Sequence, residues 1–230
     1  MSDRRPSVGL VGIFASVGMA APGIAIGDEV TRPAADSQER LPGPHLPTGL
    51  LGRVDLVVVD VETTGLAADS SITEIGAVRL TRSGPAAEFA TLVNPGSPIP
   101  PDVVALTGIT DDLVAAAPPV GQVLPEFLRF AAGSVLAAHN APFDVAFLSA
   151  ACERSGIRWP ARAVIDTAVL ARLVLGPDDV PDHKLATLAG YFGVVTCPAH
   201  RALADARATA DVLVRLLAIL AGRATGPTPG

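Results

Sequence analysis

The segment Val54-Asp-Leu-Val-Val-Val-Asp-Val61 is a short run of β-branched and apolar residues interrupted only by two aspartates. Continuous runs of this kind are typical of a central strand that is buried on both faces. Glu62-Thr-Thr-Gly65 follows with turn chemistry, so the strand is predicted to end at Val61. We expect the fold to be built around this strand.

Further segments with strand or helix character surround it. Strands are predicted at Ile72–Thr81, Glu88–Asn94, Val135–Ala138 and Ala163–Ile165, with a proline-rich loop at Pro95–Pro101. Helices are predicted at Thr110–Ala116, Val120–Ala132, Phe143–Ser155, Thr167–Leu175, Lys184–Phe192 and Ala199–Ala221. Three strands followed by alternating helices and strands indicate an α/β fold whose mixed sheet is covered by helices.

Two carboxylates stand at the end of the opening strand. Residues i and i+2 of a strand point to the same face, so Asp60 and Glu62 are expected to project side by side. Two adjacent anions at the end of an apolar strand repel each other and lose hydration, which is costly unless a cation joins them. The pair therefore indicates a cation site.

Asp144 directly follows the predicted strand Val135–Ala138, in the segment His139-Asn-Ala-Pro-Phe-Asp144. Ligand sites of open α/β sheets gather at the carboxyl ends of strands, so this acid fits the same site. The alternative is that Asp144 only favours the first turn of its helix through the helix dipole.

His200 and Asp205 form the last candidate pair. Pro198 suggests that the last helix begins near residue 199, which leaves His200 in or before its first turn and anchors Asp205 on the helix. The alternatives are a structural histidine and an Asp205 that merely pairs with Arg201.

Together these residues resemble the DnaQ-like DEDDh exonuclease family, relatives of the proofreading subunit of bacterial replicative polymerases. The three motifs of that family occur here in order, as Val59-Asp-Val-Glu-Thr-Thr-Gly-Leu66, His139-Asn-Ala-Pro-Phe-Asp144 and His200-Arg-Ala-Leu-Ala-Asp205. The resemblance covers about Arg53 to Ala221. It implies an RNase H-like mixed five-stranded sheet flanked by helices.

The resemblance also implies a mechanism. Asp60, Glu62, Asp144 and Asp205 would hold two Mg²⁺ or Mn²⁺ ions, His200 would act as general base, and a nucleoside 5′-monophosphate would leave from the 3′ end of DNA. The terminal nucleotide would contact Thr63, Leu66, Leu106, Thr107, His139 and Phe143. Several relatives carry histidine where this chain has Thr107.

Three functions remain open at this point. The first is a DNA 3′→5′ exonuclease in proofreading or repair, acting on single-stranded or frayed 3′ ends and with a replicative polymerase subunit as a candidate partner. The second is an RNA 3′→5′ exonuclease of the same fold, because one or two contacts can read the 2′-hydroxyl. The third is a non-catalytic accessory subunit. Retention of all four carboxylates and the histidine argues against the third, since unpaired buried charges would be costly.

The 230-residue composition sets outer limits. Hydrophobic residues make up 49% and charged residues 17%, which is enough apolar surface for a sizeable core. The net charge of −6 argues against a broad basic nucleic-acid surface. It does not exclude a nuclease in which cations lie between the carboxylates of the protein and the phosphate of the substrate. The two cysteines, Cys152 and Cys197, provide neither a disulfide framework nor a thiolate zinc cluster. A reduced, cytoplasmic protein of bacterial type is expected.

We predict an exonuclease domain at residues 51–222, after an N-terminal extension at 1–50 and before a flexible tail at 223–230. The stretch Val8–Ile26 is apolar and uncharged. It is interpreted as a poorly ordered extension, with a signal peptide or a membrane anchor as alternatives. Residues Gly27–Gly49 have the composition of a linker. No stable membrane association is expected.

Overall fold

The computed structural model describes residues 54–160, 162–196 and 198–224. One sheet contains the strands β1 (Leu56–Thr63), β2 (Ile72–Thr81), β3 (Gly84–Leu92), β4 (Val135–Ala138) and β5 (Val164–Asp166). Their order across the sheet is β3-β2-β1-β4-β5. The pairs β1–β2 and β2–β3 are antiparallel, whereas β1–β4 and β4–β5 are parallel. The predicted α/β fold with a mixed five-stranded sheet is confirmed.

Helices connect and cover these strands. Within the described residues they are α1 (Pro101–Thr107), α2 (Asp111–Val114), α3 (Val120–Phe130), α4 (Pro142–Arg154), α5 (Thr167–Val174), α6 (Leu185–Phe192) and α7 (Ala202–Ala224). Residues of α3 and α4 pack in one buried cluster against the sheet, and residues of α5, α6 and α7 pack in another. The sheet therefore lies between two helical layers.

β1 is the middle strand of the sheet and contributes side chains to both buried clusters. Leu56 and Val58 belong to the α7 side of the core, whereas Val57 and Val59 belong to the α4 side, as strand alternation requires. All four are at most 1% exposed, which confirms a strand buried on both faces. Continuing the alternation places Asp60 on the α7 side of the sheet.

Several boundaries differ from the sequence predictions. β1 continues through Glu62 to Thr63, because the ladder with β2 persists past Val61. β3 begins at Gly84 rather than Glu88. The predicted loop Pro95–Pro101 is confirmed as far as Pro100. Pro101 is instead the first residue of α1, a helix that was not predicted and that Gly108 caps with φ 69°. Proline suits the first helical position and glycine the left-handed cap, but seven residues are too few to display a helical period.

The last helix also differs at both ends. α7 begins at Ala202 instead of Ala199, because His200 adopts a left-handed backbone with φ 51° that a helix cannot contain. It continues to Ala224, two residues into the predicted tail. The predicted extension at residues 1–50 and the rest of the tail lie outside the described residues. Among the helices of the described ranges, none combines the length and apolar character that crossing a membrane requires.

Candidate functional site

The end of β1 carries the first two candidate carboxylates. Asp60 pairs with Gly76 and Glu62 pairs with Glu74 in the antiparallel ladder, so both acids lie in regular strand geometry on one face. The register shifts between Glu62 and Thr63, which ends the regular pairing just beyond the acids. A fixed strand thus holds both side chains in place.

Asp144 reaches the same place from the other side of β1. It lies in the first turn of α4 and is only 3% exposed. Its Oδ1 accepts a hydrogen bond of 3.1 Å from the main-chain N–H of Val61, the residue between Asp60 and Glu62. The carboxylate is therefore fastened to the end of β1, and helix capping alone does not describe its position.

The turn before α7 and the first turn of that helix supply the last two candidates. The Oδ1 of Asp205 accepts a hydrogen bond of 2.8 Å from the N–H of Ala199, and its carboxylate also accepts one from the N–H of His200. His200 is exposed and Asp205 is buried. Ligand atoms of Glu62, His200 and Asp205 all lie within 4.8 Å of one another. The structure thus brings α7 and β1 together at one site.

Glu74 is a site residue to which sequence reasoning assigned no role. It is 5% exposed, and its carboxylate accepts hydrogen bonds from Arg201 Nε at 3.0 Å, Arg201 Nη2 at 2.9 Å and the N–H of Ala202 at 2.9 Å. Arg201 thus pairs with Glu74, so the alternative of an Asp205–Arg201 pair does not describe this arginine. A glutamate in a largely buried strand was the available signal, because a buried charge requires a partner.

Burial and mutual repulsion oppose ionisation across the cluster. Burial, followed by the charges of Asp144, Asp205 and neighbouring glutamates, raises the pKa of Asp60 well above its usual value. Burial raises the pKa of Glu62 to about 7, with further increases from Asp205 and Glu74. Burial also raises the pKa of Asp144 to about 8, and it raises the pKa of Asp205. The carboxylates of the site carry more negative charge than the neighbouring positively charged side chains offset.

This donor set fits divalent cations. Carboxylate oxygens are the hard ligands that Mg²⁺ and Mn²⁺ prefer, and a cation supplies the charge that the cluster lacks. The presence of His200 beside Glu62 and Asp205 adds one imidazole nitrogen within ligand distance. The number and identity of the ions stay predictions.

The predicted nucleotide-contacting residues divide into exposed and internally bonded groups. Leu66 is 87% exposed and Leu106, near the end of α1, is 57% exposed, so both present apolar surface to solvent. The buried Thr63 hydroxyl donates to the carbonyl of Gly65 at 2.6 Å. The buried Thr107 hydroxyl donates to Val103 O at 2.9 Å and accepts from the N–H of Ile109 at 3.1 Å. Both threonines already have internal partners.

His139 and Phe143 frame the Asp144 segment. Nδ1 of His139 lies 2.9 Å from Oγ1 of Thr167, and the ring also hydrogen-bonds the main chain of His183. Burial is the main cause that lowers the pKa of His139. Phe143 is half-buried, with its ring centroid 4.8 Å from that of Phe147. His139 thus joins three segments, and Phe143 keeps part of its ring accessible next to Asp144.

Comparisons with known proteins converge on one family. The family model RNase_T, described as "Exonuclease", matches residues 57–213. A Mycobacterium tuberculosis (strain CDC 1551) protein, provisionally named a bifunctional exonuclease/endonuclease, is 51% identical over 73% of this chain. This chain covers 27% of that protein. DNA polymerase III subunit epsilon of Treponema pallidum (strain Nichols) is 39% identical over 72% of this chain, which covers 77% of it.

A solved structure agrees with these relatives. Exonuclease X, in complex with 5′ overhanging duplex DNA, is 30% identical and superimposes with a TM-score of 0.57. The match covers 75% of this chain and 94% of that one. The similarity to the epsilon subunit and to exonuclease X therefore extends over most of each of those chains.

Proposed function

Since this chain belongs to the RNase_T exonuclease family, we propose that it is a metal-dependent 3′→5′ exonuclease that removes nucleoside 5′-monophosphates from DNA ends. Membership confirms the resemblance to DnaQ-like DEDDh exonucleases and, with it, a nuclease domain. Direction, substrate sugar and the roles of individual residues are parts of the proposal.

One observation carries the proposal: four acids and a histidine from three separate chain segments converge at the end of β1. Asp60, Glu62, Asp144 and Asp205 would hold two divalent cations, Mg²⁺ or Mn²⁺. Such a pair of cations would stabilise the attacking and the leaving oxygen of an in-line displacement at phosphorus. The raised pKa values of Glu62, to about 7, and Asp144, to about 8, support a cation as the missing partner.

His200 is the proposed general base. It is exposed to solvent beside Glu62 and Asp205, where its imidazole can take a proton from the attacking water. Histidine is the side chain that most often serves as a general base in enzymes. Because Asp205 accepts the N–H of His200, the base and the acid are held in one backbone arrangement.

The six nucleotide-contacting residues are proposed on the family motifs. Leu66 and Leu106 supply exposed apolar surface, and Phe143 supplies part of a ring on which a base can stack regardless of sequence. Thr63, Thr107 and His139 have internal hydrogen-bond partners, so we propose that they shape the pocket and leave the stacking to the other three.

DNA is the proposed substrate because the named relatives concern DNA: a DNA polymerase subunit and an exonuclease in complex with duplex DNA. By the same similarity we propose proofreading or repair in the cytoplasm, with a replicative polymerase subunit as the candidate partner. RNA is the alternative substrate. A non-catalytic accessory role is the third reading, and the intact set of site residues argues against it.

One assay separates these readings. A 5′-labelled single strand, made as DNA and as RNA of equal sequence, is incubated with the full chain in Mg²⁺, Mn²⁺ or EDTA. We expect a ladder of shortened labelled strands from DNA with metal, and none in EDTA or with Asp60→Ala or His200→Ala. Immediate release of the labelled nucleotide would indicate the opposite direction. Cleavage in EDTA, or full activity in both variants, would reject the mechanism.

A further inference from the structure

Glu74 stands out among the acids of the site because its carboxylate already has partners. Oε2 accepts from Arg201 Nε and from the N–H of Ala202, and Oε1 accepts from Arg201 Nη2. The bonds measure 3.0, 2.9 and 2.9 Å in that order, so the pairing with Arg201 is bidentate. Three donors leave this carboxylate little capacity to act as one more cation ligand.

The partners of Glu74 are the residues that follow His200. Arg201 is adjacent to the proposed base, and Ala202 is the first residue of α7. The carboxylate therefore caps an otherwise unpaired N–H at the start of the helix that carries Asp205. One buried side chain on β2 thus fixes the place at which α7 begins.

Gly76 fixes the same helix start by contact. It follows Glu74 by two residues on β2 and therefore points to the same face. A Cβ built on Gly76 would lie 2.2 Å from both Ala202 C and Leu203 N. The first residues of α7 consequently rest directly on the backbone of β2, where a hydrogen bond and a steric contact together set their position.

His200 lies between two sets of hydrogen bonds. On one side the N–H of Ala199 is bonded to Asp205, and on the other Arg201 and Ala202 are bonded to Glu74. Between them His200 has φ 51°, a left-handed conformation that is unfavourable for a residue other than glycine. Such a conformation persists only where the surroundings over-determine it.

We propose that Glu74 and Arg201 form a positioning pair that sets the backbone of His200 and the depth of Asp205. The proposal rests on the function proposed above and adds two residues that touch neither substrate nor cation. Glu74 acts through Arg201 and the start of α7. Loss of either partner lets the segment from Ala199 to Asp205 relax away from β1.

The test compares Glu74→Gln, Arg201→Ala and their double variant by kcat, KM, Mn²⁺ affinity from calorimetry and melting temperature. Arg201 is the informative position because its removal leaves every carboxylate in place. We expect kcat and Mn²⁺ affinity to fall on the order of 10–100-fold in each single variant, with KM within about twofold. The double variant should lose no more activity than the more impaired of the two single variants, because both single substitutions break the same Glu74–Arg201 pair. Arg201→Lys should recover part of the loss.

Arg207→Ala is the matched control. Arg207 also joins α7 to the sheet through a bidentate pair, with Nε at 2.9 Å and Nη2 at 2.5 Å from the oxygens of Glu88 on β3. Its removal should lower the melting temperature to a similar extent and leave kcat and Mn²⁺ affinity unchanged. Equal losses of kcat in Arg207→Ala and Arg201→Ala would show that the loss in Arg201→Ala reflects a general loss of stability, and would overturn the proposal.

Two further results would also overturn it. One is unchanged kcat and Mn²⁺ affinity in Arg201→Ala. The other is a loss in Glu74→Gln that Arg201→Ala does not share, which would make Glu74 a direct participant. Failure of the proposed function has a different signature, namely a wild type without nuclease activity or an active Asp60→Ala. In that case the Mn²⁺ affinities of the same variants still decide the positioning role.

Discussion

At the scale of single residues, the site is a set of carboxylates that the fold holds close together despite their mutual repulsion. Asp60 and Glu62 share a strand face, and Asp144 is fastened between them by the N–H of Val61. Burial raises the pKa of each of the three acids. The site therefore costs stability until a cation is bound.

This cost predicts an unusual pH dependence of stability in EDTA. The ordinary pKa is 4.5 for a glutamate and 3.8 for an aspartate, whereas in the folded protein the pKa of Glu62 is raised to about 7 and that of Asp144 to about 8. The folded state thus binds more protons between these values, so the free energy of unfolding falls as pH rises from about 5 to 8. Calorimetry in EDTA should show a melting temperature several degrees lower at pH 8.

Mg²⁺ should remove that decrease, because it binds the ionised folded site. Glu62→Gln should flatten the slope in EDTA, since its side chain cannot ionise. Glu126→Gln on the exposed side of α3 serves as control and should leave the slope unchanged. A melting temperature in EDTA that rises toward pH 8 would contradict the prediction.

The left-handed backbone of His200 allows a second residue-scale prediction. His200→Gly and His200→Ala should both lose on the order of 10²–10⁴-fold in kcat, because neither can accept a proton. The glycine variant should melt about 2–4 °C above the alanine variant, since glycine adopts φ 51° without steric cost.

Added imidazole should restore part of the activity of His200→Gly, because the missing side chain leaves room for a free base. Asp60→Ala is the control that imidazole should not rescue. Wild-type activity in the glycine variant without imidazole would remove His200 from the mechanism.

At the scale of elements, the decisive contact is the close approach of α7 to β2. Gly76→Ala would place a methyl group 2.2 Å from main-chain atoms of Ala202 and Leu203, and backbone cannot yield as a side-chain tip can. Overpacking of this kind costs about 1–3 kcal/mol or more. We expect a lower melting temperature together with loss of nuclease activity, because Asp205 moves with the helix.

Gly190→Ala is the matched control for that variant. Gly190 lies in α6, and a Cβ there would meet nothing within 4 Å. Alanine should therefore stabilise the helix by up to ~1 kcal/mol and leave activity intact. Equal effects of the two substitutions on activity would show that the Gly76 contact does not position the site.

The helices and strands differ in how well they could be predicted from the sequence. β1 was predictable because burial on both faces demands a continuous apolar run, and its last residues placed Asp60 and Glu62 together by alternation. α1 was missed because its start and end depend on Pro101 and Gly108 and not on a repeated pattern. The contacts of Glu74 with Arg201 and with the first residue of α7 join residues far apart in the chain, which no local pattern encodes.

At the scale of the whole molecule, the part of the chain from the start of β1 to the end of α7 contains all five proposed catalytic and metal-binding residues and both main buried clusters. We therefore predict that a chain comprising residues 51–222 retains the full kcat and a cooperative melting transition.

The measurement compares this fragment with the full chain in the nuclease assay and by calorimetry. Cell fractionation of both forms tests the predicted extension, which should affect neither location nor cleavage of the chain. A fragment that folds without activity would show that residues outside 51–222 complete the site. A membrane-bound or shortened full chain would instead support anchoring or export.

The site draws on both ends of this domain: Asp60 and Glu62 come from its first strand, His200 from the turn before its last helix and Asp205 from the first turn of that helix. Ribosomes deliver these parts in order, the strand first. A nascent chain that has presented only the strand lacks the proposed base and two of the four acids, Asp144 and Asp205. The set of four acids is therefore complete only after the first turn of α7 has been synthesised.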